Sequence, residues 1–228
     1  MTELTTYALA DGIATITLDD GKVNALSPAM QASIGEALDR AEADEAVVVL
    51  TGRAQTFSAG FDLRAAGEEW PGMVAGGGRL AERLLSFPHP TLAACNGNAI
   101  AMGAFVLLSC DVRIGVEGPF KIGLNEAAIG LTLPWFGIET ARHRLTPPYF
   151  DRCCTTGVLL DPGEAVSAGF LDRLVAPDDL PTAALDAART LAGVDRAAHT
   201  ATKLRVREHA IAAVRAGHER ITSGESEW

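Results

Sequence analysis

Basic residues and cysteines are both scarce in this chain of 228 residues. Lys and Arg number 19 against 29 Asp and Glu, which gives a formal net charge of -10. Nucleic-acid binding requires clustered Lys and Arg to neutralise phosphates, so we expect no nucleic-acid partner. The four cysteines show neither metal-ligand spacing nor a disulfide framework, and we interpret them as reduced thiols of a cytoplasmic protein without a metal: Cys95, Cys110, Cys153 and Cys154.

Long apolar runs are also lacking. No run approaches the length of a transmembrane helix, so we expect no membrane span. The first twelve residues carry an acid, Glu3, and no apolar region of the kind that marks a signal peptide. The chain has no G-x-G-x-x-G motif, which disfavours a dinucleotide-using enzyme. Its five histidines form no convincing ligand spacing.

Apolar residues nevertheless make up 48% of the chain, enough for a substantial core. Residues 13–18 alternate and are β-branched, and residues 46–50 form a continuous apolar run, so both are predicted strands. Ser27-Pro28 predicts a helix start between them. This alternation favours an α/β core over residues 1–195. Residues 196–228 are predicted to form a helical segment that contacts another subunit or covers a pocket.

The stretch 92–111, LAACNGNAIAMGAFVLLSCD, is predicted to be a strand, an Asn-Gly turn and a buried helix formed by the apolar segment from Ala99 to Cys110. Small residues at its start would let a backbone or a flat ligand approach: Ala99, Ala101, Gly103 and Ala104. The first N–H groups of a helix have no internal partner and carry the positive end of its dipole. A buried helix start is therefore a candidate anion site.

Further elements follow from local signals. Residues 53–63 are predicted as a loop and residues 74–85 as a helix, yet Gly76-Gly77-Gly78 is interpreted as a flexible loop, since it lacks the context of a phosphate cradle. Asp161 and Gly169 are predicted to cap a short helix at its two ends. Helices are also predicted at 135–144, 150–158, 180–191 and 196–216, and strands at 112–116 and 171–175.

Four phrases, taken in order, resemble the crotonase (enoyl-CoA hydratase/isomerase) superfamily. They are FSAGFDL at 57–63, NGNAIAMGAF at 96–105, IGLNEAAIGL at 122–131 and LLDPGEAVSAGFLDRLV at 159–175. The resemblance implies an α/β fold of the ClpP/crotonase type, a spiral of ββα turns, usually assembled as a trimer or a dimer of trimers. It also implies an acyl-CoA thioester substrate, with no separate cofactor because coenzyme A is part of the substrate.

The resemblance further implies that two backbone N–H groups hold the thioester oxygen. The matching donors are the N–H groups of Phe61 and Met102, and Ala59-Gly60 would turn the chain just before Phe61. Such rigid donors stabilise an enolate without reorganising. The family usually has Gly where this chain has Met102. The Met102 side chain could therefore change the width of the oxyanion hole, the site formed by these two donors. Without the resemblance, residues 57–62 would be interpreted as an ordinary turn.

The acids decide the reaction in this family. Hydratases use two glutamates; the first position holds Phe105 here, and the second matches Glu126. The mitochondrial-type 3-enoyl-CoA to 2-enoyl-CoA isomerases keep only the second glutamate, so the resemblance predicts the isomerisation. The apolar Phe105 would exclude water from the site. An apolar pocket should raise the pKa of Glu126, and Asn125 is a candidate to orient it. The alternative is a Glu126 that faces solvent or pairs with an arginine.

Substrate contacts complete the expectation. Arg64 stands where the family often has a basic residue near the phosphates, although a solvated surface arginine would look the same. Ala25-Leu26 resembles the phrase near the adenine end, and the remaining candidates are Asp62 and Leu63. Two other functions stay open: hydration or another crotonase reaction with an acid recruited from elsewhere, and a non-catalytic acyl-CoA-binding protein.

Overall fold

The computed structural model describes residues 4–53, 55–64 and 69–223. Its strands are β1 (Thr5–Ala10), β2 (Ile13–Leu18), β3 (Val47–Gly52), β4 (Thr56–Ser58), β5 (Thr91–Cys95), β6 (Asn98–Ile100), β7 (Val112–Val116), β8 (Ile122–Gly123), β9 (Leu159–Leu160) and β10 (Arg173–Val175). Its helices are α1 (Pro28–Ala43), α2 (Glu69–Ser86), α3 (Met102–Ser109), α4 (Trp135–Arg144), α5 (Pro147–Thr156), α6 (Pro162–Ala168), α7 (Leu180–Ala192) and α8 (Arg196–Ser223), with short 3₁₀ turns at Ala127–Ile129 and Pro177–Asp179.

The strands form two sheets, one of six strands in the order β1-β2-β3-β5-β7-β10 and one of four in the order β4-β6-β8-β9. β3 and β4, β5 and β6, and β7 and β8 each place one strand in the first sheet and the next in the second. A helix follows the first two pairs directly, and a 3₁₀ turn and α4 follow the third. The chain therefore climbs as a spiral of ββα turns, as expected from the sequence.

The core lies on both faces of the larger sheet. β3 is buried along most of its length, which explains its unbroken apolar sequence. One face of the sheet packs on α7 through Leu180, Ala184 and Ala188. The opposite face, together with the smaller sheet and the apolar helix α3, forms the larger cluster. No helix in the described part of the chain is long and apolar enough to cross a membrane.

Capping residues fix two helix starts as predicted. The Ser27 side chain accepts a hydrogen bond from the Met30 N–H, and Pro28 occupies the first helical position of α1. The Asp161 side chain accepts from the Glu164 N–H at the start of α6, and Gly169 ends that helix with φ 95°.

The C-terminal helix α8 lies on the core, packed against α2 and α4. Its Gly217 lets the helix come close to the Phe136 backbone, because a Cβ there would lie 2.5 Å from the Phe136 nitrogen. Lys203 and Arg207 of α8 pair with Asp111 at the end of α3. Three expectations stay predictions: a contact between subunits through this segment, a domain boundary at residue 195, and assembly as a trimer or a dimer of trimers.

Three local predictions were wrong. Residues 53–63 are not a loop throughout, because Thr56–Ser58 forms β4 and pairs with β6. The stretch from Ala99 to Cys110 is helical only from Met102, since β6 runs to Ile100. Gly76-Gly77-Gly78 lies inside α2, where two of the three glycines are buried against neighbouring side chains.

Candidate active site

One pocket of about 240 Å³ lies where the turn after β4, the start of α3, the segment after β8 and the first turns of α2 meet. Its lining is mostly apolar: Ala59, Phe61, Leu63, Trp70, Val74, Ala101, Asn125, Glu126, Ile129, Gly130, Leu131, Thr132 and Pro134. Among the described residues no group of His, Cys, Asp or Glu could hold a metal ion. The pocket suits a largely apolar ligand with few polar anchors.

The turn before Phe61 is held by buried Asn24. The Asn24 side chain donates to the carbonyls of Thr56 and Phe57, at 3.1 Å each, and the Ser58 hydroxyl donates to the Asn24 carbonyl at 2.7 Å. The Gly60 N–H donates in turn to that hydroxyl. Gly60 has φ +92°, a conformation that side-chain-bearing residues rarely adopt. These bonds give Phe61 a rigid backbone position.

A second constrained turn leads into α3. Ala101 has φ 52° and ψ -121°, a strained conformation for a residue other than glycine, costing about 1–3 kcal/mol. Its N–H donates to the Gly123 carbonyl at 2.9 Å, and its carbonyl accepts from Phe105 at 3.1 Å. The strained turn thus makes Met102 the first residue of the helix, where an N–H has no internal partner.

These two turns touch each other. A Cβ placed on Gly60 would lie 2.8 Å from the Ile100 oxygen and 3.4 Å from the Met102 nitrogen. Neither the Phe61 N–H nor the Met102 N–H donates to any acceptor in the described part of the chain. Two unpaired, rigid backbone donors therefore stand beside one apolar pocket, the arrangement that stabilises a developing oxyanion.

The Met102 side chain does not narrow this hole. It is fully buried and points toward α2, where a Cβ on Gly77 would meet its sulfur at 2.9 Å. It is not among the lining residues of the pocket. The substitution of Met for the usual Gly therefore adds side-chain volume to the core and leaves the backbone donor in place.

Glu126 is the one ionisable side chain among the described lining residues. It is 6% exposed, and its Oε2 has no hydrogen-bond partner. Burial raises the pKa of Glu126 to about 7. Its backbone is fixed because the Leu131 N–H donates to its carbonyl at 2.9 Å. The alternatives of a solvent-facing or arginine-paired Glu126 are thus not what the structure shows.

Asn125 lines the pocket beside Glu126, but no hydrogen bond joins the two side chains. Its carbonyl accepts from the Ile129 N–H at 3.3 Å and so helps to shape the 3₁₀ turn. The structure therefore shows no hydrogen bond through which Asn125 would orient Glu126, and that role stays a prediction.

Phe105 lies outside the pocket, contrary to the expectation that it would line the site. It is fully buried beneath the pocket, with its ring edge-on to Phe136 at 5.7 Å between centroids. The absence of a side chain on Gly137 gives it room. Its position on the first turn of α3 explains this, because that short helix is buried on all sides.

Of the five expected substrate contacts, Leu63 lines the pocket, whereas Ala25, Leu26, Asp62 and Arg64 do not. The Leu26 N–H donates to the Gly60 carbonyl at 2.8 Å, so this segment is hydrogen-bonded to the turn that precedes Phe61. Ala25 is bonded through its N–H to Asp20. Arg64 is exposed and pairs with Asp62 through two bonds of 2.8 Å, which lowers the pKa of Asp62.

Several lining residues were not predicted from the sequence. Trp70 packs edge-on against Phe61 with 6.0 Å between ring centroids, and Val74 lies one turn further along α2. Ile129 and Leu131 are 47% and 37% exposed. The apolar residues directly after Glu126 would have been a usable sequence signal for the pocket lining. The sequence of α2 contains no such signal, because α2 is far from Glu126 along the chain.

The sequence model of the enoyl-CoA hydratase/isomerase family matches residues 9–221 of this chain. The chain belongs to that family. It is 41% identical to a Mycobacterium tuberculosis protein whose solved structure is named as an enoyl-CoA isomerase, with a TM-score of 0.94 over 98% of this chain and 99% of that one; a second structure of the same protein is named as a probable enoyl-CoA hydratase. A Mycobacterium marinum structure named as an enoyl-CoA hydratase is 40% identical, with a TM-score of 0.93 over 96% of this chain and 98% of that one.

A third relative is the human mitochondrial enoyl-CoA delta isomerase 1, 28% identical over 205 residues, which cover 86% of this chain and 68% of the relative. Enzymes named for isomerisation and for hydration therefore stand at nearly equal similarity to this chain. The comparisons confirm the family and the crotonase fold, while the choice of reaction has to come from the site itself.

Proposed function

We propose that the protein shifts the double bond of a 3-enoyl-CoA to the 2-position, with Glu126 as the single proton carrier. The observation that carries this proposal is the pocket's composition. One buried carboxyl group, without a partner for Oε2, faces an apolar pocket beside two unpaired backbone donors. An isomerisation needs these groups and no bound water.

The reaction balances with these groups alone. The Glu126 carboxylate takes a proton from C2 of the acyl chain, and the electrons of that C–H bond delocalise onto the thioester oxygen as a dienolate. The N–H groups of Phe61 and Met102 donate to that oxygen as its charge grows. The protonated Glu126 then returns the proton to C4, which leaves the double bond between C2 and C3.

The pKa of Glu126 suits both halves of this cycle. A carboxyl group with a pKa of about 7 is a stronger base than an ordinary glutamate, and its protonated form is still acidic enough to give the proton back. Hydration would require a second acid–base group to activate a water. The position that holds this group in hydratases is Phe105, and it is buried away from the pocket.

The pocket leaves an apolar space for the acyl chain between Val74, Leu131 and Pro134. The exposed pair of Asp62 and Arg64 lies beside the pocket wall formed by Phe61 and Leu63. Arg64 would have to leave Asp62 to bind a coenzyme A phosphate. The donors and Glu126 do not depend on it.

The direct test is to incubate the purified protein with 3-hexenoyl-CoA and 2-hexenoyl-CoA in separate assays. We expect 2-hexenoyl-CoA from the first and almost no 3-hydroxyhexanoyl-CoA from the second. Hydration at rates common among enzymes, on the order of 10 per second, would favour the hydratase alternative. Binding of both esters without any product would favour a non-catalytic acyl-CoA-binding protein.

A further inference from the structure

The side chains of the two proposed donor residues meet at a single glycine of α2. A Cβ built on Gly77 would lie 2.6 Å from Phe61 Cζ, 2.7 Å from Phe61 Cε1 and 2.9 Å from Met102 Sδ. We infer that Gly77 is a positioning residue for the oxyanion hole: the space left by its missing side chain seats Phe61 and Met102 together, and so sets both backbone donors. This inference rests on the proposed function.

Glycine is a poor choice for a helix interior, since alanine at the same position would favour the helix. Gly77 lies in the middle of α2 and is buried. Its two neighbours make room for other groups: a Cβ on Gly76 would meet the Gln31 side chain, and one on Gly78 would meet His218 and Phe136. Among these three glycines, only Gly77 has the side chains of both proposed donor residues as its nearest neighbours.

A side chain at Gly77 could not be accommodated without displacing these two residues. Met102 is fully buried, so its sulfur cannot swing into solvent. The ring of Phe61 is bounded on another side by Trp70, at 6.0 Å between centroids, and its remaining free space is the pocket. To the extent that packing prevents either side chain from rotating away, the displacement is taken up by its own Cα and by the N–H beside it.

The consequence should be seen in catalysis more than in binding. Displacement of a catalytic group by about 1 Å can cost roughly 100-fold in rate, and a shift of a few tenths of an ångström at two donors should cost about 10-fold. The donors act on the charge that develops in the transition state, so kcat should fall while the KM for the enoyl-CoA changes little.

The test compares Gly77→Ala with Gly72→Ala, a matched change in the same helix. A Cβ on Gly72 would meet nothing within 4 Å. We expect Gly77→Ala to lose about 10-fold in kcat while still unfolding cooperatively, and Gly72→Ala to keep the wild-type kcat. A Gly77→Ala variant with wild-type kcat would overturn the inference.

The steric cause is tested by repeating Gly77→Ala in the Phe61→Leu and Met102→Ala backgrounds. Both background changes keep the backbone N–H but remove atoms that the new Cβ would meet. We expect the loss caused by Gly77→Ala to shrink at least 3-fold in each background, the sign of coupled residues. An undiminished loss in both backgrounds would show that Gly77 acts through other groups, and would overturn the inference.

A second readout separates this inference from the choice of reaction. Acetoacetyl-CoA forms an enolate with its own ultraviolet absorbance, and an oxyanion hole should enrich that enolate on the protein. We expect a strong enolate band with the wild type and Gly72→Ala and a weak one with Gly77→Ala. A wild-type band without 3-hexenoyl-CoA turnover would overturn the isomerase proposal alone, whereas equal bands in all three proteins would overturn the role of Gly77.

Discussion

Glu126 is the residue on which the proposed chemistry depends. Replacing it by Gln keeps the size of the side chain and removes the base. We expect Glu126→Gln to lower the conversion of 3-hexenoyl-CoA by at least about 100-fold, the lower range for loss of a general base, and to leave acyl-CoA binding largely intact. Turnover is measured from the 2-enoyl product, and Glu139→Gln on the surface of α4 serves as the control. Near wild-type turnover would rule out Glu126 as the proton carrier.

The raised pKa of Glu126 also predicts how the stability and the turnover of the protein depend on pH. Burial raises the folded-state pKa of Glu126 to about 7, so the folded protein binds the proton more tightly than the unfolded chain does. Its contribution to stability is present below the ordinary glutamate pKa and is lost as pH rises toward 7. Turnover should rise with pH and level off above about pH 7, because the base must be ionised.

Glu126→Gln should therefore be more stable than the wild type at pH 8, by up to about 3 kcal/mol from the size of the pKa shift. At pH 4 the difference should nearly disappear, because Glu126 is then neutral in the folded protein and largely neutral in the unfolded chain. Urea denaturation at the two pH values measures it. A variant less stable than the wild type at pH 8 would contradict a buried, unpaired carboxylate.

Sequence motifs were informative about single residues and weak about their surroundings. Phe61, Met102 and Glu126 stood in phrases shared with a family, so their backbone positions could be anticipated. The burial of Phe105 could not, because α3 is apolar on every face and its sequence gives no direction to any one side chain. The contacts of Gly77 were missed for a related reason: three consecutive glycines indicate a loop unless the neighbours that need their space are known.

At the scale of elements, the two tight turns position the donors. Gly60→Val would place a branched side chain at φ +92°, within 3 Å of the Ile100 carbonyl and the Ala101 methyl group. The turn would have to open and the Phe61 N–H would move away from Met102. We expect a loss of turnover of about 100-fold, measured with 3-hexenoyl-CoA, in a protein that still unfolds cooperatively.

The control for this change is Gly12→Ala, at a positive-φ glycine in the turn between β1 and β2, where a Cβ would meet nothing within 4 Å. It carries a similar conformational penalty and does not touch either donor, so its kcat should fall much less. If Gly60→Val turned over as fast as the wild type, the turn before Phe61 would not position the thioester oxygen.

The order of elements was largely predictable, because each strand and helix has its own periodicity and caps. β4, β6 and β8 were the difficult elements, with only two or three residues each. Such short strands carry too little pattern to be recognised, and they form because the spiral brings their edges together. They also hold both turns of the proposed oxyanion hole, so the part of the fold on which the proposed chemistry depends is the part with the weakest local signal.

At the scale of the whole molecule, one buried charge cluster joins α8 to the core. The Asp111 carboxylate accepts from the Thr91 N–H at 2.8 Å and from Lys203 Nζ at 2.9 Å, and it pairs with Arg207 at 2.7 Å. Burial alone would raise the pKa of Asp111. The His199 ring, whose Nε2 lies 3.7 Å from Asp111 Oδ2, and the charges of Lys203 and Arg207 outweigh it and hold that pKa well below its usual range.

Asp111→Asn should therefore destabilise the protein far more than a surface change, because it leaves Lys203 and Arg207 buried without their counter-charge. We expect a cost of about 3–5 kcal/mol at pH 7, the range for removing one partner of a buried ion pair. The contribution of a carboxyl group with a depressed pKa is present above the ordinary aspartate pKa, about 3.9, and is lost as pH falls through the folded-state value. The difference in the free energy of unfolding between wild type and variant should thus become smaller in acid.

Urea denaturation gives the free energy of unfolding, and hydrogen exchange should show faster exchange along α8. Asp186→Asn, which removes an exposed ion pair with Arg189 on α7, is the control and should change stability little. Equal effects of the two substitutions would mean that the cluster does not hold α8 on the core.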